Sequence, residues 1–542
     1  MKIVHNKYLT NKFNKKFNSL LIIFILIIIV CLFYYYYTDN KNNNLNRNLN
    51  NNLTNNLNNN LNKNSKFYRN IDDAIKDIKD GSSISIGGFN LNGIPNTLIT
   101  RLSKKNVKNL TCVSIQVGEE KYGTNLLIYN NQVKKLITGY VGKNKYITKL
   151  YLSGELEIEF IPIGTLSEKL RSGGSGIPAF YTPTGCDNII EYGEIPLKYN
   201  KKGEVIEYNK KKEFRYFNNK KYLLEESIST DFSFVKAWKG DQYGNLVFRG
   251  TAQNFNHDCA KSGKICIAEV EEFIEDGELN PNEIDIPGIF VNRIVKSNNM
   301  NNINLQILNN LNNLHNLYNL KNINEEDLKI NKIIKRAAKE IKNGMYVNLG
   351  VGIPTKIPNF LHPDIAVNIH NENGLLGIGN YQNPHKFNSN IVNVGNEPIN
   401  FINGSSTFSL SDSFSMIRGG YIDVTILGAF EVSSHGDISN WTIPNEKING
   451  IGGSLDLIAG AKKIIIIMMH SDKNGNPKIV EKCKYPITAK GIVDLLITEL
   501  AVFEFDKDGM VLIEYSKDTN LATIKEKTGA NFRISQKLVI SK

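Results

Sequence analysis

Residues 71–99 read IDDAIKDIKDGSSISIGGFNLNGIPNTLI, and residues 334–361 repeat their pattern as IKRAAKEIKNGMYVNLGVGIPTKIPNFL. Each copy begins with an amphipathic stretch that ends at a glycine, Gly81 or Gly344, which predicts a short helix with a glycine C-cap. An apolar run of strand length follows, then a glycine turn with an Ile-Pro pair and a second helical segment. The sequence therefore predicts two bodies that are built on the same helix, strand, turn and helix unit.

Further apolar runs extend this pattern in both bodies. TCVSIQV (residues 111–117), DVTILGAF (423–430) and KKIIIIMM (462–469) alternate with helical stretches. Strands that alternate with helices are typical of α/β folds with parallel sheets. We therefore expect two homologous α/β domains with largely parallel sheets.

The two glycine turns are candidates for anion contact. Gly87-Gly88 and Gly350-Val351-Gly352 lie between a predicted strand and a helical segment, where backbone N–H groups can meet a phosphate or a carboxylate. Neither turn fits the dinucleotide-binding pattern GxGxxG or the phosphate loop GxxxxGK[ST]. Turns that are needed only for close packing are the alternative.

Composition excludes several classes of protein. A chain of 542 residues with 41% hydrophobic and 22% charged residues is neither fully disordered nor a polytopic membrane protein. Six cysteines without a CxxC pair and eight histidines without HExxH give no reason to expect a metal site. Of the net charge of +12, +7 lies within residues 1–65, and no nucleic-acid-binding motif is present. We expect no nucleic-acid partner.

The N-terminus contains a long apolar run. The 22 residues from Phe17 to Thr38 are uncharged and follow five lysines, so as a helix they are long enough to span a bilayer. A retained signal anchor is favoured over a cleaved signal peptide, and an organelle presequence is a third reading because residues 1–38 lack Asp and Glu.

Two asparagine-rich tracts set the domain boundaries. Residues 39–65 contain 16 asparagines among 27 positions, and a similar tract interrupts the chain between the two bodies. The predicted organisation is a targeting or anchor segment (1–38), a spacer (39–65), a first domain (66–296), a linker (297–326) and a second domain (327–542).

The segment NENGLLGIG (371–379) carries the most specific signal. It follows the strand-like run DIAVNIH, so Glu372 is expected at the carboxyl edge of a sheet, where α/β folds bind ligands. On these residues alone, an exposed acid in a turn is the stronger interpretation. However, the segment resembles the active-site signature of the family I CoA-transferases, in particular the members that act on succinyl-CoA and 3-oxo acids.

Other segments carry the same resemblance across residues 66–542, apart from the linker. They are GTLSEKLRSGGSGIPAFYTPTG (164–185), VKAWKGDQYGNLVFR (235–249), MIRGGYIDVTILGAFEVSSHGDISNW (416–441) and GIGGSLDLIAGAKK (450–463). In this family the two halves are separate A-like and B-like subunits or are fused, as they are here.

The resemblance implies a chemistry and a set of residues. It implies that Glu372 is the nucleophile of a ping-pong reaction through a glutamyl-CoA thioester, and that the backbone N–H of Gly453, next to Gly452, stabilises the oxyanion. Gln116 and Asn373 are further candidates for oxyanion or CoA contact. The implied partners are succinyl-CoA, acetoacetate and CoA, with no cofactor. A homodimer in the mitochondrion, engaged in ketone-body catabolism, is expected.

Three positions depart from the family. Ile163 replaces a glutamine that supplies an oxyanion donor, Ile115-Gln116 replaces an Asn-Asn pair, and Met469 replaces a frequent acid. Because loss of one oxyanion donor costs ~10²–10³ in turnover, our hypothesis is that Gln116 partly replaces the missing amide. Two alternatives stay open: an acyl-CoA hydrolase, if water enters a site bordered by Ile163 and Ile115, or a membrane-tethered acyl-CoA binding protein with weakened catalysis.

Overall fold

The computed structural model describes residues 65–541 except 120–121, 143, 276–277, 299–324, 384–385 and 444–446, together with Val30, Tyr34 and Tyr35. The chain divides into two compact units, Met1–Ser65 and Lys66–Lys542. Apart from Val30, Tyr34, Tyr35 and Ser65, the predicted anchor and spacer lie outside the described residues, as does most of the linker. Among the helices that the structure does describe, none combines the length and the apolar character needed to cross a membrane.

The first half of the unit Lys66–Lys542 is built around a parallel sheet. Its strands are β1 (Ser83–Ile86), β2 (Leu110–Gln116), β3 (Val133–Tyr140), β4 (Glu157–Phe160), β5 (Ala179–Thr182), β6 (Pro196–Tyr199), β7 (Val205–Tyr208), β8 (Phe214–Phe217), β9 (Lys220–Glu226), β10 (Thr230–Asp241), β11 (Leu246–Val247), β12 (Gly263–Ile274) and β13 (Arg293–Lys296). The sheet has the order β13-β12-β10-β1-β2-β3-β4 with every neighbouring pair parallel, and β11 pairs antiparallel with β10.

The second half is built around a mixed sheet with a parallel centre. Its strands are β14 (Tyr346–Leu349), β15 (Asn368–Asn371), β16 (Leu375–Tyr381), β17 (Ile399–Thr407), β18 (Val424–Leu427), β19 (Glu431–Ser433), β20 (Ile438–Ser439), β21 (Thr442–Ile443), β22 (Lys447–Ile448), β23 (Lys463–Ile467), β24 (Ile479–Val480), β25 (Leu495–Ile497), β26 (Ala501–Asp506), β27 (Gly509–Ser516) and β28 (Arg533–Ser541). The order is β17-β16-β15-β14-β18-β23-β25-β26-β27-β28, and the strands from β15 to β25 are parallel.

Helices cover and connect these sheets. The α-helices are Ile71–Ala74, Asn96–Ser103, Thr124–Tyr129, Lys145–Leu152, Ile163–Gly174, Ile189–Tyr192, Asn256–Ser262, Glu325–Ala338, Leu410–Arg418, Ser454–Gly460 and Leu521–Lys527, and the 3₁₀ helices are Gly250–Gln253, Pro281–Glu283, Gly288–Phe290 and Ile353–Phe360. Smaller sheets join β5-β9-β8, β6-β7, β20-β19-β24 and β21-β22. The predicted α/β class with largely parallel sheets is confirmed.

The two copies of the repeated sequence take equivalent places. Strand β1 lies between β10 and β2, and β14 lies between β15 and β18, so each copy supplies an inner parallel strand. Each strand leads through its glycine turn into a helix, which is an α-helix at Asn96–Ser103 and a 3₁₀ helix at Ile353–Phe360.

The predicted glycine C-caps are wrong. The first helices end at Ala74 and Ala338, several residues before Gly81 and Gly344. These glycines have φ of +77° and +81° and turn the chain into the following strand. The isoleucines that follow the two helices, Ile78 and Ile341, are buried in the core although they lie outside the helices.

Both halves contribute to one buried core. Its largest cluster contains Phe255 and Ile163 from the first half together with Phe414 and Leu457 from the second. The two halves pack tightly against each other, because a Cβ on Gly164 would collide with the ring of Phe414. The junction between the halves is therefore fixed within one compact unit.

Candidate active site

Glu372 lies in a tight turn at the carboxyl end of β15. The chain reverses between β15 and β16, and the N–H of Gly374 donates to the Asn371 carbonyl oxygen at 3.1 Å. Gly374 has φ of +99°, and a Cβ there would collide with the Phe408 carbonyl oxygen, so this turn requires glycine. The turn holds Glu372 at the edge of the sheet where parallel strands end.

Gly453 lies directly against the Glu372 carboxylate. A Cβ on Gly453 would be 2.9 Å from Cδ of Glu372 and closer still to Oε2. Real Cβ atoms do not approach other atoms so closely, so a side chain at position 453 would displace the carboxylate. Glycine here brings the backbone at the start of the helix Ser454–Gly460 into contact with Glu372.

The loop that carries Gly453 is bound to the first half of the chain. The N–H of Val141 donates to the Asn449 carbonyl oxygen at 2.7 Å, and the N–H of Gly452 donates to the Gly139 carbonyl oxygen at 2.9 Å. The N–H of Ile163 then donates to the Gly452 carbonyl oxygen at 3.0 Å. Glu372 and the backbone that contacts it are thus positioned by both halves together.

A cavity of about 770 Å³ opens in front of Glu372. Besides Glu372 it is lined by Gln116 and Ile163 from the first half, by Gly452 and Gly453, and by the residues that follow strands β14, β18 and β23. Further lining residues are Asn90, Tyr140, Gly350, Val351, Gly352, Ile353, Pro354, Val394, Gly395, Leu427, Gly428, Ala429, Phe430, Asn440, Trp441, Asn449, Gly450, Ile451, Ser454, Leu457, Ile467, Met468, Met469 and Lys478.

The structure brings together four of the five predicted site residues. Glu372, Gly452, Gly453 and Gln116 line this cavity, whereas Asn373 does not. The buried Asn373 amide instead donates to the Val392 carbonyl oxygen at 2.9 Å and so supports the loop behind Glu372.

Ile163 and Ile115, the two isoleucines at positions that differ from the family pattern, have different surroundings. Ile163 lines the cavity, as does Met469. Ile115 is fully buried in the core, and the expectation that it borders the site is wrong. Successive residues of a strand point to opposite faces, so when Gln116 faces the cavity Ile115 faces the core.

Of the two glycine turns, only Gly350-Val351-Gly352 lines the cavity. At the other turn, a Cβ on Gly87 would collide with the Asn256 side chain, so this glycine serves packing. The helix N-terminus that follows is occupied by the protein's own buried carboxylate, because the N–H of Thr97 donates to Oε2 of Glu269 at 2.7 Å. Lys236 in turn pairs with Glu269 at 3.1 Å. The prediction of a ligand anion at this turn is therefore wrong.

The carboxylates of Glu372 and Asp456 are close enough for their charges to interact. Burial, and to a smaller extent the charge of Asp456, raise the pKa of Glu372 to about 7. Burial also raises the pKa of Asp456 to about 6, although its oxygens accept hydrogen bonds from the Gly164 N–H and the Thr184 hydroxyl, both at 2.9 Å. Near neutral pH, Glu372 is thus present in both protonation states, and its carboxylate is more basic than that of an exposed glutamate.

Sequence reasoning missed Asp456 and Lys478. Asp456 stands three residues after Gly453 in the first turn of a helix, and this spacing places it on the same side as the contact with Glu372. Lys478 lies in the connection between β23 and β24, and no local pattern indicates that it faces the cavity. Within the described part of the chain, no three His, Cys, Asp or Glu side chains gather as metal ligands would.

Comparison with known proteins gives the family. The model of the Coenzyme A transferase family matches residues 68–297 and 330–527. The chain belongs to the coenzyme A transferase family. The break in the match, residues 298–329, coincides with the asparagine-rich linker.

Several relatives resemble the chain over most of its length. The mitochondrial succinyl-CoA:3-ketoacid coenzyme A transferase 2A of Rattus norvegicus is 41% identical over 475 residues, which cover 87% of this chain and 90% of the relative. The mitochondrial transferase 2 of Homo sapiens is 41% identical over 476 residues, 88% of this chain and 91% of the relative. Among solved structures, the acyl-CoA transferase of Escherichia coli O157:H7 superposes with a TM-score of 0.70 at 22% identity, covering 88% of this chain and 95% of its own, and so shares the fold.

Proposed function

We propose that this CoA-transferase moves CoA from succinyl-CoA to a 3-oxo acid, with acetoacetate as the acceptor, through a glutamyl-CoA thioester on Glu372. The observation that carries the proposal is the contact between the Glu372 carboxylate and the backbone of Gly453 inside a cavity built by both halves. The names of the two mitochondrial relatives support the choice of substrates. No cofactor takes part, because the CoA thioesters are themselves the substrates.

The first half-reaction transfers CoA to the enzyme. A carboxylate oxygen of Glu372 attacks the thioester carbonyl of succinyl-CoA, the C–S bond breaks, and a mixed anhydride and CoA thiolate form. The thiolate then attacks the glutamyl carbonyl, the anhydride C–O bond breaks, and succinate leaves. The product is a thioester between Glu372 and CoA, formed without net uptake of a proton.

The second half-reaction reverses these steps with the other acid. The acetoacetate carboxylate attacks the glutamyl thioester and expels CoA thiolate, which gives a new anhydride. The thiolate attacks the acetoacetyl carbonyl, so that acetoacetyl-CoA leaves and the Glu372 carboxylate is restored. Two half-reactions that share one covalent intermediate require ping-pong kinetics.

Backbone and side-chain donors stabilise the anionic states in this scheme. Each attack places negative charge on a carbonyl oxygen, and we assign the backbone N–H of Gly453 as one donor because its peptide lies against the reacting carboxylate. Ile163 has no side-chain donor. Gln116 lines the same cavity and is the candidate for the second donor.

Exclusion of water favours transfer over hydrolysis. Much of the cavity wall is apolar, with Ile163, Leu427, Phe430 and Trp441 among its residues. A dry site protects both the anhydride and the thioester. The hydrolase and the weakened binding protein are not favoured, because the relatives that match most of the chain are named transferases.

We also propose a mitochondrial location and a homodimer. The location follows from the two mitochondrial relatives. The run from Phe17 to Thr38 then serves as an import or inner-membrane segment. A fluorescent reporter fused to residues 1–65 tests this, and a secretory-pathway pattern would contradict it.

Product analysis tests the reaction. The full chain is mixed with succinyl-CoA and acetoacetate, and the CoA species are separated over time beside Glu372→Gln and, as a matched control, the exposed Glu207→Gln. We expect acetoacetyl-CoA from the wild type and from Glu207→Gln, and none from Glu372→Gln. Release of free CoA without acetoacetyl-CoA would show hydrolysis and overturn the proposal.

A further inference from the structure

Lys478 is the one cation among the described residues that line the cavity, where Glu372 is the one carboxylate. Its backbone is fixed from two sides: its N–H donates to the His470 carbonyl oxygen at 3.1 Å, and its carbonyl oxygen accepts from the Val432 N–H at 3.0 Å. Both partners belong to segments that follow the carboxyl ends of β23 and β18. The lysine is therefore held at the same sheet edge as the nucleophile.

The ammonium group of Lys478 lacks the partner that other lysines with little exposure have. Lys169 pairs with Glu225 at 2.8 Å, and Lys236 pairs with Glu269 at 3.1 Å. Lys478 is half-buried, yet across the described residues no carboxylate lies within 4.0 Å of its Nζ and no hydrogen bond from Nζ is formed. An ammonium removed from water without a partner destabilises the fold, and a bound anion would offset that cost.

Burial lowers the pKa of Lys478, while the more distant charges of Glu499 and Asp472 act in the opposite direction. Those two acids thus favour the charged form of Lys478, although neither forms an ion pair with its ammonium group. The rest of the cavity wall consists of apolar side chains, backbone and a few amides such as Asn90, Asn440 and Asn449. An anionic ligand that enters the cavity adds to the negative charge of the Glu372 carboxylate. Among the described residues of the cavity wall, Lys478 carries the one positive charge that can balance it.

We infer that Lys478 binds an anionic oxygen of the substrate, either the remote carboxylate of a dicarboxylic acyl donor or a phosphate of CoA. The inference rests on the proposed function for the identity of these ligands. In both cases the lysine fixes a part of the substrate that does not react, so its binding energy orients the thioester carbonyl towards Glu372. Lys478 is accordingly a substrate-binding residue and takes no part in bond making.

Calorimetry on the full-length protein tests the inference without turnover. Affinities for CoA, succinate and acetoacetate are measured for the wild type, Lys478→Met, Lys478→Arg and the exposed Lys473→Met, which removes a charge from the same connection. We expect Lys478→Met to weaken binding of CoA or of succinate at least tenfold, Lys478→Arg to retain most of it, and Lys473→Met to match the wild type. Thermal unfolding checks that each variant is folded.

The pattern of losses identifies the anion. A loss for CoA alone assigns Lys478 to a phosphate, and a loss for succinate but not for acetoacetate assigns it to the remote carboxylate. If folded Lys478→Met binds both CoA and succinate within twofold of the wild type, the inference is wrong. Failure of the proposed function would look different, since a wild type that forms no thioester could still show binding that depends on Lys478.

Discussion

The carboxylate of Glu372 occupies the space that a side chain at position 453 would need. A Cβ on Gly453 would be 2.9 Å from Cδ of Glu372. The backbone of the loop that carries Gly453 therefore contacts the carboxylate in the turn after β15. That loop is itself bound to Gly139 of the first half through the N–H of Gly452. Glu372, the proposed nucleophile, and Gly453, the proposed donor, are therefore fixed relative to each other before substrate binds, which is the arrangement that electrostatic catalysis requires.

Replacing Gly453 by alanine tests this contact. The added methyl group must displace the Glu372 carboxylate or the loop, so we expect turnover to fall by ~10²-fold or more, as for the loss of an oxyanion donor. CoA affinity, measured by calorimetry, reports on the rest of the cavity and should change far less. Wild-type turnover in a folded Gly453→Ala variant would show that the contact has no role.

The pH dependence of thioester formation follows from the raised pKa of Glu372. Only the carboxylate form attacks the thioester, and with a pKa of about 7 the reactive fraction increases between about pH 6 and pH 8. We expect the single-turnover rate of thioester formation to rise through this range and then level off. A rate that is already constant at pH 5.5 would mean that Glu372 has the pKa of an exposed glutamate.

The stability of the folded protein should also depend on the protonation of Glu372, but it should decrease as the pH rises. Because folding raises the pKa of Glu372 from 4.5 to about 7, the favourable contribution is present below about pH 4.5 and is lost as the pH rises through 7. Glutamine carries no charge at any pH, so Glu372→Gln should be more stable than the wild type at pH 8, by about 3 kcal/mol, and similar at pH 4.5. Urea unfolding at the two pH values measures the difference. Equal stability at pH 8 would contradict the burial of the charge.

Asp456 should affect the pH at which thioester formation reaches half of its maximal rate. Its charge raises the pKa of Glu372. Asp456→Asn removes that charge, and its single side-chain oxygen can still accept from the Gly164 N–H, while its NH2 group would face the Thr184 hydroxyl, which can then act as the acceptor. We expect the midpoint of the pH–rate profile to move to lower pH in this variant. A loss of rate at every pH without a shift of the midpoint would instead assign Asp456 a purely structural role.

Gln116 is the subject of a paired test. If its amide supplies the donor that Ile163 lacks, Gln116→Ala should lower turnover by about 10-fold to 10²-fold, and adding Ile163→Gln to that variant should restore part of the loss. The comparison uses turnover at saturating substrate for the single and double variants. Unchanged turnover in Gln116→Ala would overturn the idea that it replaces the missing amide.

The sequence identified the parts of the site that depend on local geometry. The alternation of strands and helices predicted the parallel sheets, and the position of Glu372 directly after a strand predicted its place at the sheet edge. Gly452 and Gly453 were indicated by the family resemblance, and the close approach of the Gly453 backbone to Glu372 is consistent with glycine at that position.

Long-range contacts account for what the sequence could not show. The helix after Gly87-Gly88 is capped by Glu269, which is distant in sequence and comes from β12, so the turn offers no place for a ligand. Asp456 matters because the fold brings it near Glu372, and Lys478 because the fold places it in the cavity wall. Ile115 and Ile163 both pack into the core cluster that the two halves share, but of the two only Ile163 also lines the cavity, and that depends on packing between the halves.

Intact-protein mass spectrometry of the thioester tests the central claim most directly. The full chain is incubated with acetoacetyl-CoA alone, beside Glu372→Gln and the exposed Glu207→Gln, and the adduct is then mapped by peptide analysis. We predict a gain of one CoA less one water on the wild type and on Glu207→Gln, located at Glu372 and discharged by succinate, and no gain on Glu372→Gln. An adduct on another residue, or none on a folded wild type that binds CoA, would contradict the account.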